Sequence, residues 1–103
     1  MILHCVYCNF LRGGDPVEQA QVFRDLAAFS ASLDGVLSFE FGPNRDFEGK
    51  SPDYAAGFVI KFVDKAALQT YAAHETHKQL GAKLCALCVG GADGIIVFDL
   101  EVS

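Results

Sequence analysis

The first predicted element is a β-strand, because residues 2–10 are largely apolar or aromatic on both alternating sets of positions. Such a run is typical of a strand that is covered on both faces. An apolar residue then recurs every three or four positions over residues 17–33, which predicts an amphipathic helix. Asp15 and Pro16 suit the N-cap and the first helical position, and Gly35 suits the turn that closes the helix.

Three further strands follow from the rest of the pattern. Apolar and polar residues alternate over residues 36–41, with the period of two that a strand requires. Residues 54–63 and 95–102 are rich in apolar residues and are predicted to be the other two strands. The polar segment 45–53, which contains Gly and Pro, predicts an exposed loop between two of these strands. Asp64 directly follows a strand and is predicted to cap another helix.

The second helical region is predicted to break at residues 74–77 and to resume in a short helix that carries Leu80, Leu84 and Leu87. The order of elements is therefore strand, helix, strand, strand, helix, strand. This order predicts one α+β domain of the ferredoxin-like βαββαβ type over residues 1–103. Both helical layers are then expected on one face of a four-stranded antiparallel sheet.

Both faces of the predicted sheet are apolar. The face that meets the helices is predicted to carry Leu37, Phe39, Phe41, Ala56, Phe58, Ile60 and Phe62. The opposite face is predicted to carry Leu3, Cys5, Tyr7, Val59, Ile95 and Val97. A bare apolar face of that size exceeds the patches that monomers usually expose. We therefore expect a second copy to cover it, which gives a homodimer in the form of a dimeric α/β barrel.

Composition narrows the possible partners. The formal net charge is −5 and basic residues are not clustered, so a nucleic acid would be repelled rather than bound. No apolar run approaches the length of a membrane span, and the first residues lack the features of a signal peptide. We expect a cytoplasmic protein that binds neither nucleic acid nor membrane.

Four cysteines form two Cys-x-x-Cys pairs, Cys5 with Cys8 and Cys85 with Cys88. Two such pairs resemble a metal site on paper. Residues three apart in a strand point to opposite faces, however, so Cys5 and Cys8 are not expected to reach one ion. We predict no metal and regard the cysteines as free thiols, mostly small buried residues.

Three stretches of the chain carry a resemblance to a known family: His4 on the first strand, the residues 39–44, and the Tyr-x-x-His-x-x-His segment at 71–77. The chain resembles the stress-responsive dimeric α/β-barrel (Dabb) family over essentially its full length. The resemblance implies a ferredoxin-like fold, a homodimer and a role in small-ligand binding or stress. The family usually has Pro where this chain has Glu75, so the local backbone is expected to differ there.

Some members of this family, the plant polyketide cyclases, perform an intramolecular aldol condensation without a metal or organic cofactor. The resemblance implies that His4, Tyr71 and His77 match their functional residues, whereas Ala56 stands where they have a further histidine. It therefore implies cofactor-free chemistry of the cyclase or lyase type, at a site that departs from theirs in one position.

The residue pattern itself is compatible with a pocket between sheet and helices. If the alternating set that contains His4 faces the helices, its imidazole points toward Tyr71 and His77. A histidine can take a proton from a carbon next to a carbonyl, and a tyrosine hydroxyl can bond to the enolate. We expect a small apolar carbonyl or aromatic ligand. The expected lining is Phe39, Phe58, Ile60, Leu68 and Leu84.

A non-catalytic alternative stays open at this point. His4 would then be a satisfied core histidine, Tyr71 part of the apolar stripe, and His77 a helix cap or a surface residue, while His74 is expected to be exposed. The protein would be a stress-associated binding or structural module. The spacing of His74 and His77 is one residue shorter than that of the zinc-protease motif, so it predicts no metal site.

Overall fold

The chain folds into four strands and three α-helices, in an order that matches the prediction once the second helical region is divided in two. The computed structural model describes residues 1–103. In chain order the elements are β1 (Ile2–Cys8), α1 (Pro16–Ala31), β2 (Val36–Pro43), β3 (Ala56–Phe62), α2 (Lys65–Ala73), α3 (Glu75–Ala86) and β4 (Ile95–Glu101), with a short 3-10 helix at Gly91–Gly94 before β4.

The strands form one antiparallel sheet in the order β2-β3-β1-β4. The three α-helices lie on one face of it. This arrangement confirms the predicted α+β ferredoxin-like fold. The order places β1 and β3 in the centre and leaves β2 and β4 as the two edges. No helix is both long enough and apolar enough to cross a membrane.

The caps of α1 explain where that helix begins and ends. The carboxylate of Asp15 accepts a hydrogen bond from the backbone N–H of Val17 at 2.9 Å, and Pro16 occupies the first helical position. The helix ends at Ala31, a few residues before the predicted turn, because Ser32 caps it and bonds to the carbonyl of Phe29. Gly35 then turns the chain into β2 with a φ of +83°, a left-handed conformation that favours glycine.

The core lies between the sheet and the helices. Its centre is formed by β3, whose Phe58, Ile60 and Phe62 are all buried, as the alternating pattern predicts. Val22, Phe23 and Leu26 from α1 pack onto them, together with Tyr71, Leu80 and Leu84 from α2 and α3.

One predicted core residue, Leu37, lies outside the core. Val36 pairs with Phe62, but the next residue in register with β3 is Ser38, opposite Lys61, so Leu37 is an extra residue in a β-bulge. The bulge exposes Leu37 and turns Val36 toward the helices. The prediction was wrong here because a bulge shifts the alternation by one residue, and this shift leaves no mark in the apolar pattern.

The phase of β4 is also opposite to the prediction. Ile95 pairs with Cys8 and Val97 with Val6, and paired residues share a face, so Ile95 and Val97 lie on the helix side. Both alternating sets of β4 begin with apolar residues, and the register with β1 decides between them. The helix-side set also carries Asp99 and Glu101 toward its end. The face without helices, which we call the open face, therefore carries Leu3, Cys5, Tyr7, Val59, Ile96, Phe98 and Leu100.

Candidate functional site

Three polar aromatic side chains from three elements meet at the helix side of the sheet. Tyr71 lies on α2, His77 on α3 and His4 on β1. The ring centroids of Tyr71 and His77 are 4.5 Å apart, and those of His4 and Tyr71 are 6.2 Å apart in an edge-to-face arrangement. The structure thus brings together all three residues that the sequence singled out.

The break between α2 and α3 gives His77 its position. His74 alone separates the two helices, with an extended ψ of 138°, and its ring Nδ1 accepts a hydrogen bond from the N–H of Thr76 at 3.1 Å. The predicted break at residues 74–77 is therefore a single residue, and Glu75 begins α3. The chain bends here without the family's proline because His74 acts as an N-cap. His74 is exposed, as expected.

The imidazole of His77 has a defined tautomer. Its Nδ1 lies 3.1 Å from the backbone carbonyl oxygen of Ala72, an oxygen of the last turn of α2 that has no partner within its own helix. A carbonyl can only accept, so Nδ1 must carry the proton and donate it. The second ring nitrogen, Nε2, is consequently free to act as an acceptor or a base.

Burial keeps both His77 and Tyr71 in their uncharged forms. Desolvation is the largest influence on His77 and lowers its pKa, the nearby His4 lowers it further, and the bond to Ala72 opposes both effects. Burial raises the pKa of Tyr71 well above its ordinary value. At neutral pH the site therefore holds an uncharged imidazole base next to an uncharged phenol donor.

The hydroxyl of Tyr71 lies at the boundary of the core. The residue is 1% exposed, packed between Phe29 and Phe62. Its oxygen makes no hydrogen bond to a protein group, yet no buried polar side-chain atom is without a partner. The hydroxyl oxygen therefore keeps only a very small accessible area, and its hydrogen has no acceptor within the chain.

Asp99 is a member of the site that sequence reasoning missed. It pairs with His4 in the β1–β4 register, and its Oδ1 lies 2.6 Å from Nδ1 of His4. The carboxylate accepts from Nδ1 and fixes the ring edge-on to Tyr71. Only the pairing of β1 with β4 reveals the partnership, since 95 positions separate the two residues.

The five predicted lining residues belong to the core or its border. Phe58, Ile60 and Leu84 are buried in the core cluster, while Phe39 and Leu68 are half-buried against it. Phe39 stacks on Phe58 with centroids 5.0 Å apart. These residues are part of the core or pack against it, and their contact with a ligand stays a prediction.

The cysteines take the positions that strand alternation predicts. Cys5 lies on the open face and Cys8 in the core, and all four are free thiols. Cys88 reaches the same part of the core from the end of α3. Burial, with a smaller contribution from Cys88, raises the pKa of Cys8 to about 12, so its thiol stays protonated and unreactive.

A well-defined cavity lies elsewhere, on the open face. Its volume is about 700 Å³, and its lining includes Tyr7, Asn44, Tyr54, Ile96 and Phe98. No pattern in the sequence predicted this cavity. It contains none of His4, Tyr71 and His77, because these three lie on the opposite face of the sheet.

Comparison with known proteins gives a consistent family and fold. The family model described as "Stress responsive A/B Barrel Domain" matches residues 2–102. A dimeric ferredoxin-like protein of unknown function from Jannaschia sp. CCS1 is 44% identical, with 98% of each chain covered and a TM-score of 0.92. Comparison with curated proteins gives no match.

Two more distant structures share the fold. The hydroxynitrile lyase of Passiflora edulis is 10% identical, with 99% of this chain and 93% of that chain covered and a TM-score of 0.82. A variant of SnoaB, a cofactor-independent oxygenase from Streptomyces nogalater, is 19% identical, with 98% and 91% covered and a TM-score of 0.79. Identities this low establish the fold alone.

Proposed function

Because the chain belongs to the stress-responsive α/β-barrel (Dabb) family, we propose that it is a homodimer that binds a small, uncharged carbonyl or aromatic compound and acts on it by cofactor-free acid-base chemistry. The observation that carries this proposal is the His77 imidazole. Its Nδ1 proton is committed to Ala72, and its ring lies 4.5 Å from that of Tyr71.

The chemistry is a proton transfer. Nε2 of His77 takes a proton from the carbon next to the ligand's carbonyl, so that a C–H bond breaks and an N–H bond forms. The electron pair moves onto the carbonyl oxygen, which receives a hydrogen bond from the hydroxyl of Tyr71. The imidazolium then gives its proton back, either to the carbon or to the alkoxide that forms when the enolate attacks a second carbonyl. The second route makes a C–C bond, as a cyclase does, and its reverse breaks one, as a lyase does.

The neutral state of both groups favours an uncharged ligand. A lowered pKa keeps His77 unprotonated, a raised pKa keeps Tyr71 protonated, and the nearby Asp99 carboxylate repels anions. The hydroxynitrile lyase and the cofactor-independent oxygenase indicate that the shared fold can host enzymes of different reaction classes, and their low identity leaves the substrate of this chain to experiment.

The homodimer is supported by the open face. Seven apolar or weakly polar side chains lie on it, among them Tyr7, Phe98 and Leu100, and no helix packs there. Glu40 and Lys61 lie on the same face. The 44% identical Jannaschia protein is described as dimeric. The four free thiols fit a reducing compartment such as the cytoplasm.

A non-catalytic binding module is the second candidate, and one observation favours it. Tyr71 is 1% exposed, and Phe58, Ile60 and Leu84 beneath it are closed off from solvent. A ligand would then displace side chains to enter, and binding rather than turnover would be the function.

Hydrogen exchange at the ligand separates these candidates. We would incubate the protein in D2O with acetophenone and benzoylacetone and follow deuterium at the carbon next to the carbonyl by NMR. The same compounds are titrated by thermal shift, since a ligand that binds the folded state raises its stability. We expect both binding and accelerated exchange with the wild-type protein.

His77→Asn is the matched control. Its amide can still donate to Ala72, but it has no basic nitrogen. We expect this variant to bind the compounds and to lose at least about 100-fold in exchange rate, the range of a general base. Binding without exchange in the wild type would establish the second candidate, and the absence of both would reject the site.

A further inference from the structure

The loop between β2 and β3 exposes one aromatic side chain almost completely. Phe47, near the loop's tip, is 95% exposed, whereas the next most exposed large apolar residue, Val17, is 70% exposed. An aromatic ring on the surface of a monomer loses the free energy that its burial would supply. Phe47 is therefore a candidate contact for another molecule.

Hydrogen bonds hold this loop in one shape. The side-chain amide of Asn44 donates to the hydroxyl of Ser51 at 2.9 Å and to the carbonyl of Tyr54 at 2.7 Å. One carboxylate oxygen of Asp46 accepts from the N–H groups of Lys50 and Ser51 and from the Ser51 hydroxyl, each at 2.9 Å. A pre-ordered loop loses little further entropy when its exposed ring binds.

The same loop borders the cavity of the open face. Lys50, Ser51 and Tyr54 form one wall of it, and the opposite wall is formed by Tyr7 and Phe98, whose ring centroids are 6.1 Å apart. At about 700 Å³ the cavity has ample room for a phenyl ring. A phenyl ring bound in this cavity would contact other aromatic rings.

Sheet topology places the loop and the cavity at the same end of the molecule. Gly42, Gly57, Tyr7 and Ile96 form one row across the sheet, close to where β2 enters the loop. A two-fold axis that runs parallel to the strands between two stacked sheets sets the β2 edge of one copy over the β4 edge of the other. This axis places the loops and the cavities of both copies at the same end of the dimer.

We infer, on the basis of the homodimer in the proposed function, that Phe47 of each copy enters the open-face cavity of the other and packs against Tyr7 and Phe98. The contact is reciprocal, so two rings and two cavities close together. It covers the most exposed large apolar side chain and the open-face cavity at once, and it bridges the β2 edge of one copy to the β4 edge of the other.

A tryptophan reporter tests this contact, because the chain has no tryptophan of its own. We would introduce Phe47→Trp, and Val17→Trp as an exposed control on α1. We expect the emission of Phe47→Trp to be blue-shifted at concentrations where sedimentation finds a dimer, and to shift red on dilution to monomer. The emission of Val17→Trp should stay red-shifted throughout.

Phe47→Ala supplies the energetic test. We expect it to raise the dimer dissociation constant by at least about 10-fold, as the loss of a buried aromatic contact does, whereas Val17→Ala should leave it unchanged. Red-shifted emission from a dimeric Phe47→Trp variant, or an unchanged dissociation constant for Phe47→Ala, overturns this inference and leaves the homodimer standing. A wild-type protein that is monomeric at every concentration overturns both.

Discussion

His4 and Asp99 face each other across the β1–β4 ladder, with Nδ1 of His4 2.6 Å from the carboxylate of Asp99. The carboxylate fixes the imidazole edge-on to Tyr71, so a residue of the edge strand orients a residue of the central strand. The hydrogen bond between His4 and Asp99 connects the polar site to the sheet. Removing this bond should disturb the geometry of the site more than it disturbs the fold.

Asp99→Asn should therefore lower the rate of ligand exchange by about 10- to 100-fold, since small misplacements of a positioned group cost that much. The amide keeps the shape of the side chain but loses its charge. Asp93→Asn, an exposed change in the 3-10 helix, is the control. Equal rates for Asp99→Asn and the wild type would show that His4 needs no such orientation.

Tyr71→Phe should separate activity from stability. The Tyr71 hydroxyl has no hydrogen bond within the chain, so its removal should change the free energy of unfolding by less than about 1 kcal/mol. Loss of the donor to the enolate should lower exchange by about 100-fold. Urea unfolding and the exchange assay measure the two effects. A large loss of stability with full activity would assign Tyr71 a structural role only.

Stability should depend on pH through His77. Its pKa in the folded state is lowered from 6.5, so the unfolded chain takes up the proton first as the pH falls. The free energy of unfolding should therefore be constant for this group above the unfolded-state pKa and decrease as the pH drops below it. Urea unfolding of wild type and His77→Asn at several pH values isolates the contribution of His77. Parallel curves for the two proteins would contradict it.

Two similarly exposed residues on opposite faces of β4, Leu100 and Val97, allow a controlled test of the dimer interface. Leu100 on the open face and Val97 on the helix side are 51% and 47% exposed. Leu100→Lys should place a charge in the proposed interface and raise the dissociation constant by at least about 100-fold, because an unpaired charge is costly to bury. Val97→Lys should leave sedimentation unchanged. The reverse result would place the interface on the other face.

The sequence predicted what depends on local pattern. The strands, the caps at Asp15 and Asp64, and the apolar layer of β3 all follow from periodicity and capping chemistry. Asp64, for example, accepts from the N–H of Ala67 at 2.9 Å at the start of α2. His4, Tyr71 and His77 were expected at the site from the family resemblance, and the strand pattern was compatible with His4 on the helix side of the sheet.

What the sequence did not reveal depends on register. The bulge at Leu37, the phase of β4 and the pairing of His4 with Asp99 all require knowing which residue lies opposite which. Both alternating sets of β4 begin with apolar residues, which left its phase open, and a bulge shifts the phase of a strand without a mark in the apolar pattern. The exposure of Phe47 likewise depends on the fold of a polar loop that periodicity cannot describe.

The tautomer of His77 is the most direct test of the proposed site, because the base requires a free Nε2. Long-range ¹⁵N–¹H NMR of the three histidines, with His77→Asn for assignment, reports which ring nitrogen carries the proton. At pH 7 we expect a neutral ring for His77 with the proton on Nδ1. A proton on Nε2, or a charged ring at that pH, would contradict the proposed chemistry.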